Sequence, residues 1–463
     1  MKIRTSISWQ LVILFFMIQT TGWATSWKIS SVKDFETVAP QLMEKDSVIW
    51  KNGSYADVVI NLKNNGIIFM AETPGKVIFT GKSSVRISAD NVTFSGFQFL
   101  DGSVSGNVVT VAGSRCRISQ LNISGYRSHY FFEITKTGRF NDVAWCNFEK
   151  KPQALPGKEG TSVFQVAVDS LHPGNNVIRW CSFRDFQAPE GAGGDYGMEA
   201  FRPGYSYQSK FVSRTLMEYC YFTRCKGDGE IISNKARENV YRYNTFESNG
   251  ESHVTLRHGS NTAVYGNFFL DGAGIRIKEG QNDMVYNNYF NTGNYFSIRL
   301  ENYRVDPLRN ILIAHNTLVG SGPVRLGGKG EYPPEEVVIC NNLVVQPTAK
   351  ILEDPTGRET MINNYTSELP AEKGFILLKK LPVTNEYGFI RPQKALPSVK
   401  IPRQAIMDIQ DMEDDPEILF DIVKNKRGKN KSSGCFEPVR NDFPVKPVAT
   451  AFNTGPSYLQ INP

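Results

Sequence analysis

The chain has 463 residues, of which 40% are hydrophobic and 21% are charged, and its formal net charge is +6. It is too long for one small globular core and too apolar for a disordered chain. Its 39 Gly and its frequent Asn are weak helix formers, which argues against a helical bundle or a coiled coil. The mildly positive charge is well short of a nucleic-acid-binding surface, so we expect no nucleic acid partner.

Residues 1–24 have the layout of a cleavable secretory signal. A positive region with Lys2 and Arg4 precedes an apolar run over 11–18, and a small-residue string then ends at Ala24. The apolar run is shorter than the roughly 20 residues that span a bilayer. We therefore expect an exported protein, periplasmic or secreted, without membrane insertion.

A short amphipathic helix is expected next. Ser31 and Asp34 have the spacing of a capping box, and the apolar residues Phe35, Val38 and Leu42 follow. We expect this helix to cover the N-terminal end of the repeat region that comes after it.

One strand motif then recurs along most of the chain. Each copy alternates apolar and polar positions and closes on an aromatic residue or Leu, and the later copies are 21 to 28 residues apart. Short β-strands at this period indicate a right-handed parallel β-helix, in which turns about 4.8 Å apart bury one continuous core. The alternative is a β-propeller, but its blades run to ~40 residues or more. The fold class is therefore all-β.

One column of residues lies two positions before the closing residues. It contains Cys146, Cys181, Cys220, Asn244, Asn267, Asn288, Asn316 and Asn341. Stacked Asn side chains can hydrogen-bond along such a column. The seven Cys form no CxxC pair and no metal-finger spacing, so we expect free, buried thiols.

The repeat fades after about residue 350, where Pro becomes frequent. We expect a catalytic β-helix over 25–350 and an irregular C-terminal extension over 351–463 that packs on the β-helix or caps it. We expect the chain to act as a monomer.

Basic residues recur at one place in successive turns. Each follows an apolar neighbour, so strand alternation points it outward: Arg202, Lys235, Arg257, Lys278, Arg299 and Arg325. Like charges about 5 Å apart on adjacent strands repel each other, so a line of cations suggests a ligand. A linear polyanion with repeating carboxylates suits this line, and an acidic polysaccharide is the expected partner.

Two strings resemble the central motifs of polysaccharide lyase family six, the alginate lyase and chondroitinase B family. They are Gly-Asp-Gly-Glu-Ile-Ile-Ser-Asn-Lys over 227–235 and Val-Thr-Leu-Arg-His-Gly over 254–259. The resemblance is good over about 190–345. It implies a parallel β-helix that cleaves a uronate-containing polysaccharide by β-elimination and leaves an unsaturated sugar. Alginate is the expected substrate, because the first string looks closer to those members, and dermatan sulfate is the alternative.

The same resemblance implies that Lys235 is the general base and Arg257 the acid or charge stabiliser. A neighbouring cation and partial burial lower the pKa of a lysine, and Arg presents a fork to a carboxylate. The expected substrate-binding residues are Arg202, His258, Lys278, Arg299 and Arg325. His258 could also assist the chemistry, although a His beside a site is more often a hydrogen-bonding partner.

Members of this family commonly use calcium to neutralise the substrate carboxylate. The candidate ligands here are Glu199, Asp228 and Glu230. The Asn that the family pattern places on the preceding turn is missing, and calcium takes six to eight oxygens. Without calcium, neutralisation would fall to Arg202, Arg257 or Lys278. We expect no organic cofactor.

Two other classes of protein use this scaffold. A hydrolase of the polygalacturonase kind also uses a β-helix, and Arg276-Ile-Lys278 superficially echoes one of its strings. Hydrolysis needs clustered carboxylates, however, and the repeat region lacks an Asp-Asp pair or an Asn-Thr-Asp string. A non-catalytic polysaccharide-binding β-helix would explain the scaffold but not the strings at Lys235 and Arg257.

Overall fold

The computed structural model describes residues 24–155, 158–192, 194–301, 308–368, 373–380, 382–384, 388–402, 420–428, 432–438 and 446–460. The expected secretory signal lies outside these residues except for Ala24, so export stays a prediction. No helix in the described part of the chain is long and apolar enough to cross a membrane.

Three sheets run along the molecule, and a typical turn of the chain contributes one strand to each. The first sheet has 14 strands: Ser26–Ile29, Ser47–Trp50, Ile68–Ala71, Thr93–Ser95, Arg117–Ser119, Asp142–Ala144, Val177–Arg179, Leu216–Glu218, Val240–Arg242, Ala263–Tyr265, Met284–Tyr286, Arg309–Ala314, Glu335–Cys340 and Thr360–Ile362. The second sheet also has 14: Gly53–Ala56, Val77–Thr80, Phe97–Leu100, Asn122–Ser124, Asn147–Glu149, Ser182–Gln187, Tyr221–Lys226, Thr245–Gly250, Phe268–Gly272, Tyr289–Asn291, Thr317–Val319, Leu343–Val345, Asn364–Thr366 and Phe375–Leu377.

The third sheet has 12 strands: Val59–Leu62, Ser84–Ile87, Val109–Val111, Phe132–Ile134, Phe164–Val166, Phe201–Pro203, Glu230–Asn234, His253–Leu256, Ile275–Ile277, Ile298–Leu300, Val324–Arg325 and Leu352–Glu353. Strands within the sheets pair in parallel with the turns before and after. The parallel β-helix expected from the repeat is confirmed.

Few other elements occur in the described residues. They are the α-helix Val32–Val38, the 3-10 turns Ala39–Gln41, Ser206–Gln208 and Ser457–Leu459, and an antiparallel pair formed by Val383–Thr384 and Ile390–Arg391. The short N-terminal helix is confirmed: Ser31 Oγ accepts a hydrogen bond from Asp34 N at 3.0 Å. Phe35 of this helix is buried against Phe69, with ring centroids 5.6 Å apart.

The closing aromatic residues form a column of rings inside the coil. Neighbouring rings lie 4.6–5.2 Å apart along the series Phe148, Phe183, Phe222, Phe246, Phe269 and Phe290. This distance matches the spacing of adjacent strands, so each ring packs on the ring of the next turn. The apolar column thus ties the register of every turn to its neighbours.

A ladder of Asn side chains follows the bend between the first and second sheets. Asn288 Nδ2 donates to Asn316 Oδ1 at 3.1 Å and to Val264 O at 2.9 Å, and the Asn288 N–H also donates to Asn316 Oδ1 at 3.0 Å. The ladder comprises Asn244, Asn267, Asn288, Asn316, Asn342 and Asn364. Its polar groups are thereby satisfied although these side chains are buried.

The ladder was predicted correctly from Asn244 to Asn316, but its assignment to Asn341 was wrong. Leu318 pairs with Val344 rather than with Leu343, so Asn342 enters the ladder. Asn341 has a φ of 56°, the left-handed conformation that Asn tolerates at the bend. Its side chain points away from the ladder, and its Nδ2 donates to Val399 O at 2.9 Å.

The thiols continue the same column toward the N-terminus. The Cys220 N–H donates to Asn244 Oδ1 at 2.8 Å, as an Asn of the ladder would. All seven cysteines are free and buried, as expected.

The three sheets extend past residue 350, and the second sheet ends with Phe375–Leu377. Later segments pack along the outside of the coil. The buried Arg427 donates to Asn287 Oδ1 at 2.5 Å, and Tyr458 OH donates to Gln120 O at 3.1 Å. The division of the chain into domains at residue 350 stays a prediction.

We expect Asn288→Ala to lower the free energy of unfolding by about 2 kcal/mol, because it leaves the buried N–H of Asn267 without its acceptor and removes one of the hydrogen bonds of Asn267 Nδ2. Urea unfolding followed by circular dichroism measures this change. Asn291→Ala, at an exposed position of the same turn, is the matched control and should stay near wild type. Equal stability of the two variants would contradict a stabilising ladder.

Candidate active site

A first column of cations lies at the end of the third-sheet strands, with one residue on each of three successive turns: Lys235, Arg257 and Lys278. Leu256 pairs with Asn234 on one side and with Ile277 on the other. The basic residue that follows each of these three therefore occupies the same position in its turn. Adjacent positions lie about 4.8 Å apart, so one bound anion can reach two of these cations.

A second column lies two residues earlier in each strand and faces the same way. This arginine column contains Arg202, Arg276, Arg299 and Arg325. Arg276 pairs with Arg299, and Arg299 pairs with Arg325. Arg202 is aligned with the earlier turn through the pairing of Phe201 with Ile232.

The expectation of a single line of cations was therefore wrong. The sequence alignment placed Arg299 and Arg325 in line with Lys278, whereas the strand pairing shifts them by two residues. The predicted outward direction of these side chains was right, because a register shift of two residues keeps a side chain on the same face of a strand. The offset was hidden by variable loops between the closing residue and the next third-sheet strand.

Glu199 lies at the N-terminal end of the two columns and contacts one cation from each. Its carboxylate is 3.5 Å from Arg202 Nη1 and 3.9 Å from Lys235 Nζ. Burial raises the pKa of Glu199, and both cations oppose this rise. The contact holds the Lys235 ammonium side by side with the Arg202 guanidinium.

Glu230 lies between the two columns one turn further on. Its Oε1 is 3.3 Å from Arg257 Nη1 and 3.6 Å from Arg276 Nη1, and Ser233 Oγ donates to its other oxygen. The Glu230 side chain is only 3% exposed, so these partners take the place of water around a buried charge. The guanidinium groups of Arg257 and Arg276 are thereby held on the same carboxylate.

The environment of Lys235 lowers its pKa. Burial is the largest cause and Glu199 opposes it, while Arg202 and Arg257 lower the pKa further. A lysine of this kind loses its proton more readily than a surface lysine and can act as a base. Arg257 remains a cation and can stabilise negative charge that develops on a bound carboxylate.

His258 directly follows Arg257 and has a φ of 66°. Its Nδ1 contacts a carboxylate oxygen of Glu279. Burial lowers the pKa of His258 and Glu279 opposes the change, while Arg257 and Lys235 lower it further. His258 therefore lies within the electrostatic field of Arg257 and Lys235, and its ring contacts the Glu279 carboxylate.

The remaining predicted binding residues extend the surface toward the C-terminal turns. Arg299 Nη2 is 2.7 Å from Glu301, and Arg325 Nε is 2.8 Å from Glu353. Burial lowers the pKa of Lys278, and the charges of Arg257 and Arg276 lower it further. All six cations predicted from the sequence thus lie on one outward face.

The sequence analysis missed two residues of this surface, Arg276 and Glu301. Arg276 Nη2 is 2.6 Å from Glu301, which also pairs with Arg299, so Arg276 links Glu230 to the next turn. Arg276 stands two positions before Lys278, and strict alternation would have placed both on the outer face.

The three candidate calcium ligands do not fit the ion in this arrangement. Asp228 accepts the Gly197 N–H at 2.6 Å on one oxygen and the Glu230 N–H at 2.9 Å on the other. Burial, followed by the nearby Glu199, raises the pKa of Asp228 to about 7. Glu199 and Glu230 each already face two cations. Within the described ranges, no group of three or more His, Cys, Asp or Glu side chains is arranged to hold a metal ion.

Comparison with known proteins identifies the family of the chain. The chondroitinase B family profile matches residues 29–308, more than half of the chain. The alginate lyase AlyGC of polysaccharide lyase family 6 is similar in structure, with 24% identity, a TM-score of 0.68, and coverage of 80% of this chain and 55% of AlyGC. The present chain thus spans about half the length of that enzyme. No curated protein matches the chain.

Two further solved structures are similar. One is a mannuronic acid specific family 6 lyase from human gut microbiota, with 25% identity, a TM-score of 0.66, and coverage of 76% of this chain and 91% of that one. The other is a family 6 alginate lyase in complex with a trisaccharide, with 20% identity, a TM-score of 0.64, and coverage of 80% and 91%. The fold and the match to the family profile place the chain in the class of parallel β-helix polysaccharide lyases. It belongs to the chondroitinase B family, within polysaccharide lyase family six.

Calcium use stays a prediction from the family resemblance, and the contacts of the three carboxylates argue against it. We expect the thermal unfolding midpoint to be equal in millimolar calcium chloride and in EDTA, because no ligand set is arranged for the ion. Differential scanning fluorimetry measures this. A calcium-dependent rise in the unfolding midpoint would contradict the expectation if it is lost in Glu230→Gln. The same rise should persist in Glu335→Gln, the control variant at a more exposed carboxylate.

Proposed function

We propose that the protein cleaves alginate by β-elimination. One observation carries the proposal: Lys235 and Arg257 lie on successive turns of the third sheet, beside the buried carboxylates Glu199 and Glu230. The family match supports the reaction class. The names of the similar alginate lyase and mannuronic acid specific lyase support the substrate.

The proposed reaction begins with Lys235 in its neutral form. The amine takes the proton on carbon five of the uronate, next to the sugar carboxylate. The electron pair left on carbon five forms the double bond to carbon four, and the bond from carbon four to the glycosidic oxygen breaks. The departing oxygen then takes a proton from the Lys235 ammonium or from water, which leaves an unsaturated sugar.

Arg257 is proposed to stabilise the charge that develops on the sugar carboxylate. Its guanidinium stays protonated in proteins, so it acts as a fixed cation rather than as a proton donor. Arg202 lies close enough to share the Glu199 carboxylate with Lys235 and is a second cation for the substrate. These groups allow the carboxylate to be neutralised by the chain itself.

Dermatan sulfate is the second candidate substrate, since the matching family profile is that of chondroitinase B. Absorbance of the unsaturated product distinguishes the two when alginate and dermatan sulfate are supplied in parallel. Activity on dermatan sulfate alone would replace alginate as the substrate. A lack of product with every uronate polymer would overturn the lyase proposal.

We expect Lys235→Met to lower kcat on alginate by about a thousandfold and Arg257→Met by about a hundredfold, through loss of the base and of charge stabilisation. The initial rate of absorbance increase measures both. Lys82→Met, an exposed lysine on a loop far along the coil, is the control and should match wild type. Retained activity in Lys235→Met with an unchanged melting temperature would contradict its role as base.

The pH dependence tests how the cations tune the base. Because Arg202 lowers the pKa of Lys235, Arg202→Met should raise this pKa. The rising limb of kcat/KM against pH should then move to higher pH by on the order of one unit. Arg309→Met removes an exposed arginine of the first sheet and should leave the limb in place. A shift to lower pH in Arg202→Met would show that Lys235 is not the titrating group.

A further inference from the structure

Two tyrosines form a stacked pair at the edge of the candidate active site. Tyr207 lies in the 3-10 turn Ser206–Gln208 and Tyr205 is the N-cap residue of this turn, which follows the third-sheet strand Phe201–Pro203 that carries Arg202. Their ring centroids are 5.5 Å apart and their planes differ by 6°. Tyr207 is 75% exposed, so Tyr205 covers one face of its ring and the other face is open to solvent.

The inner ring of the pair contacts the site itself. The Arg202 guanidinium carbon lies 5.3 Å from the centroid of Tyr205, and the hydroxyl groups of Tyr205 and Tyr130 are 3.1 Å apart. Tyr130 OH also accepts a hydrogen bond from Arg202 Nη2 at 3.2 Å. The stacked pair is therefore linked to Lys235 through two side chains, Arg202 and Glu199.

The turn that carries the pair is held by a buried amide. Gln208 Oε1 accepts the Tyr205 N–H at 3.1 Å and the Val168 N–H at 3.3 Å, and its Nε2 donates to Val168 O at 3.0 Å. Gln208 itself is 5% exposed. The turn that carries Tyr207 is therefore held by contacts with the preceding turn of the coil, and its ring stacks on Tyr205.

A single exposed aromatic residue is ordinary on a protein surface, so exposure alone does not indicate a binding role. What distinguishes Tyr207 is an open, preorganised face beside a row of cations. Sugar rings present flat faces of C–H bonds, and an aromatic face buries such a surface while the hydroxyl and carboxylate groups at the rim stay hydrated. Rigid aromatic groups also lose little conformational entropy on binding.

We propose that Tyr207, supported by Tyr205, is a stacking platform for a uronate ring of the substrate next to the sugar whose carboxylate binds at Arg202. The inference rests on the proposed function, because the occupant is a unit of the same acidic polysaccharide. Tyr207 holds the chain in place by apolar contact, and the cations hold it by charge. It is a binding residue and takes no part in proton transfer.

The test compares KM with kcat on polymeric alginate. Tyr207→Ala should raise KM five- to tenfold with kcat within twofold of wild type, and Tyr207→Phe and Tyr207→Trp should restore the wild-type KM. Phe452→Ala removes a 51% exposed aromatic residue of the C-terminal segment and should change neither value. Calorimetric titration of Lys235→Met with an alginate oligosaccharide should show the same loss of affinity when Tyr207→Ala is added.

Salt separates the platform from its charged neighbours. The ratio of the affinities of Lys235→Met and of its Tyr207→Ala derivative should stay constant as ionic strength rises, because apolar contact is not screened. An unchanged KM in Tyr207→Ala would overturn the platform and leave the lyase proposal standing. A fall in kcat with a lowered melting temperature would also overturn it, by assigning Tyr207 a structural role. A wild-type protein that cleaves no uronate polymer would overturn the proposed function instead.

Discussion

The parallel pairing of each turn with the next is the constraint on which the rest of the structure depends. Once Leu256 is paired with Asn234 and Ile277, the residues that follow them must line up on the outer face. The column of stacked aromatic rings and the Asn ladder both fix this pairing, one through apolar contact and the other through hydrogen bonds. The site is therefore a consequence of a core that repeats over many turns.

Lining up cations at the spacing of adjacent strands has an energetic cost, and buried carboxylates offset it. Glu199, Glu230 and Glu301 each lie between two cations taken from neighbouring positions. This alternation offsets the repulsion between neighbouring arginines. It does not fully restore the proton affinity of Lys235, because burial lowers its pKa more than Glu199 raises it. One arrangement thus places fixed arginine cations next to a lysine whose pKa is lowered.

Local pattern explains what could be predicted and what could not. The closing aromatic residues and the ladder up to Asn316 follow from alternation and period, which are properties of short segments. Asn341 was misassigned because two consecutive Asn stand at a bend, and only the pairing of Leu318 with Val344 shows which one enters the ladder. The offset of Arg299 was hidden for the same reason, since loop lengths between sheets do not reveal register.

The sequence by itself determined the β-helix, the outward direction of the cations, the free thiols and the family motifs around Lys235 and Arg257. Each of these is set by residue order within a few positions. The tertiary structure decided that the cations form two columns, that Arg276 belongs to one of them with Glu301 between Arg276 and Arg299, and that the three candidate calcium ligands contact other groups. These features depend on which residues meet across turns more than 20 positions apart, and that is decided by the packing of the whole coil.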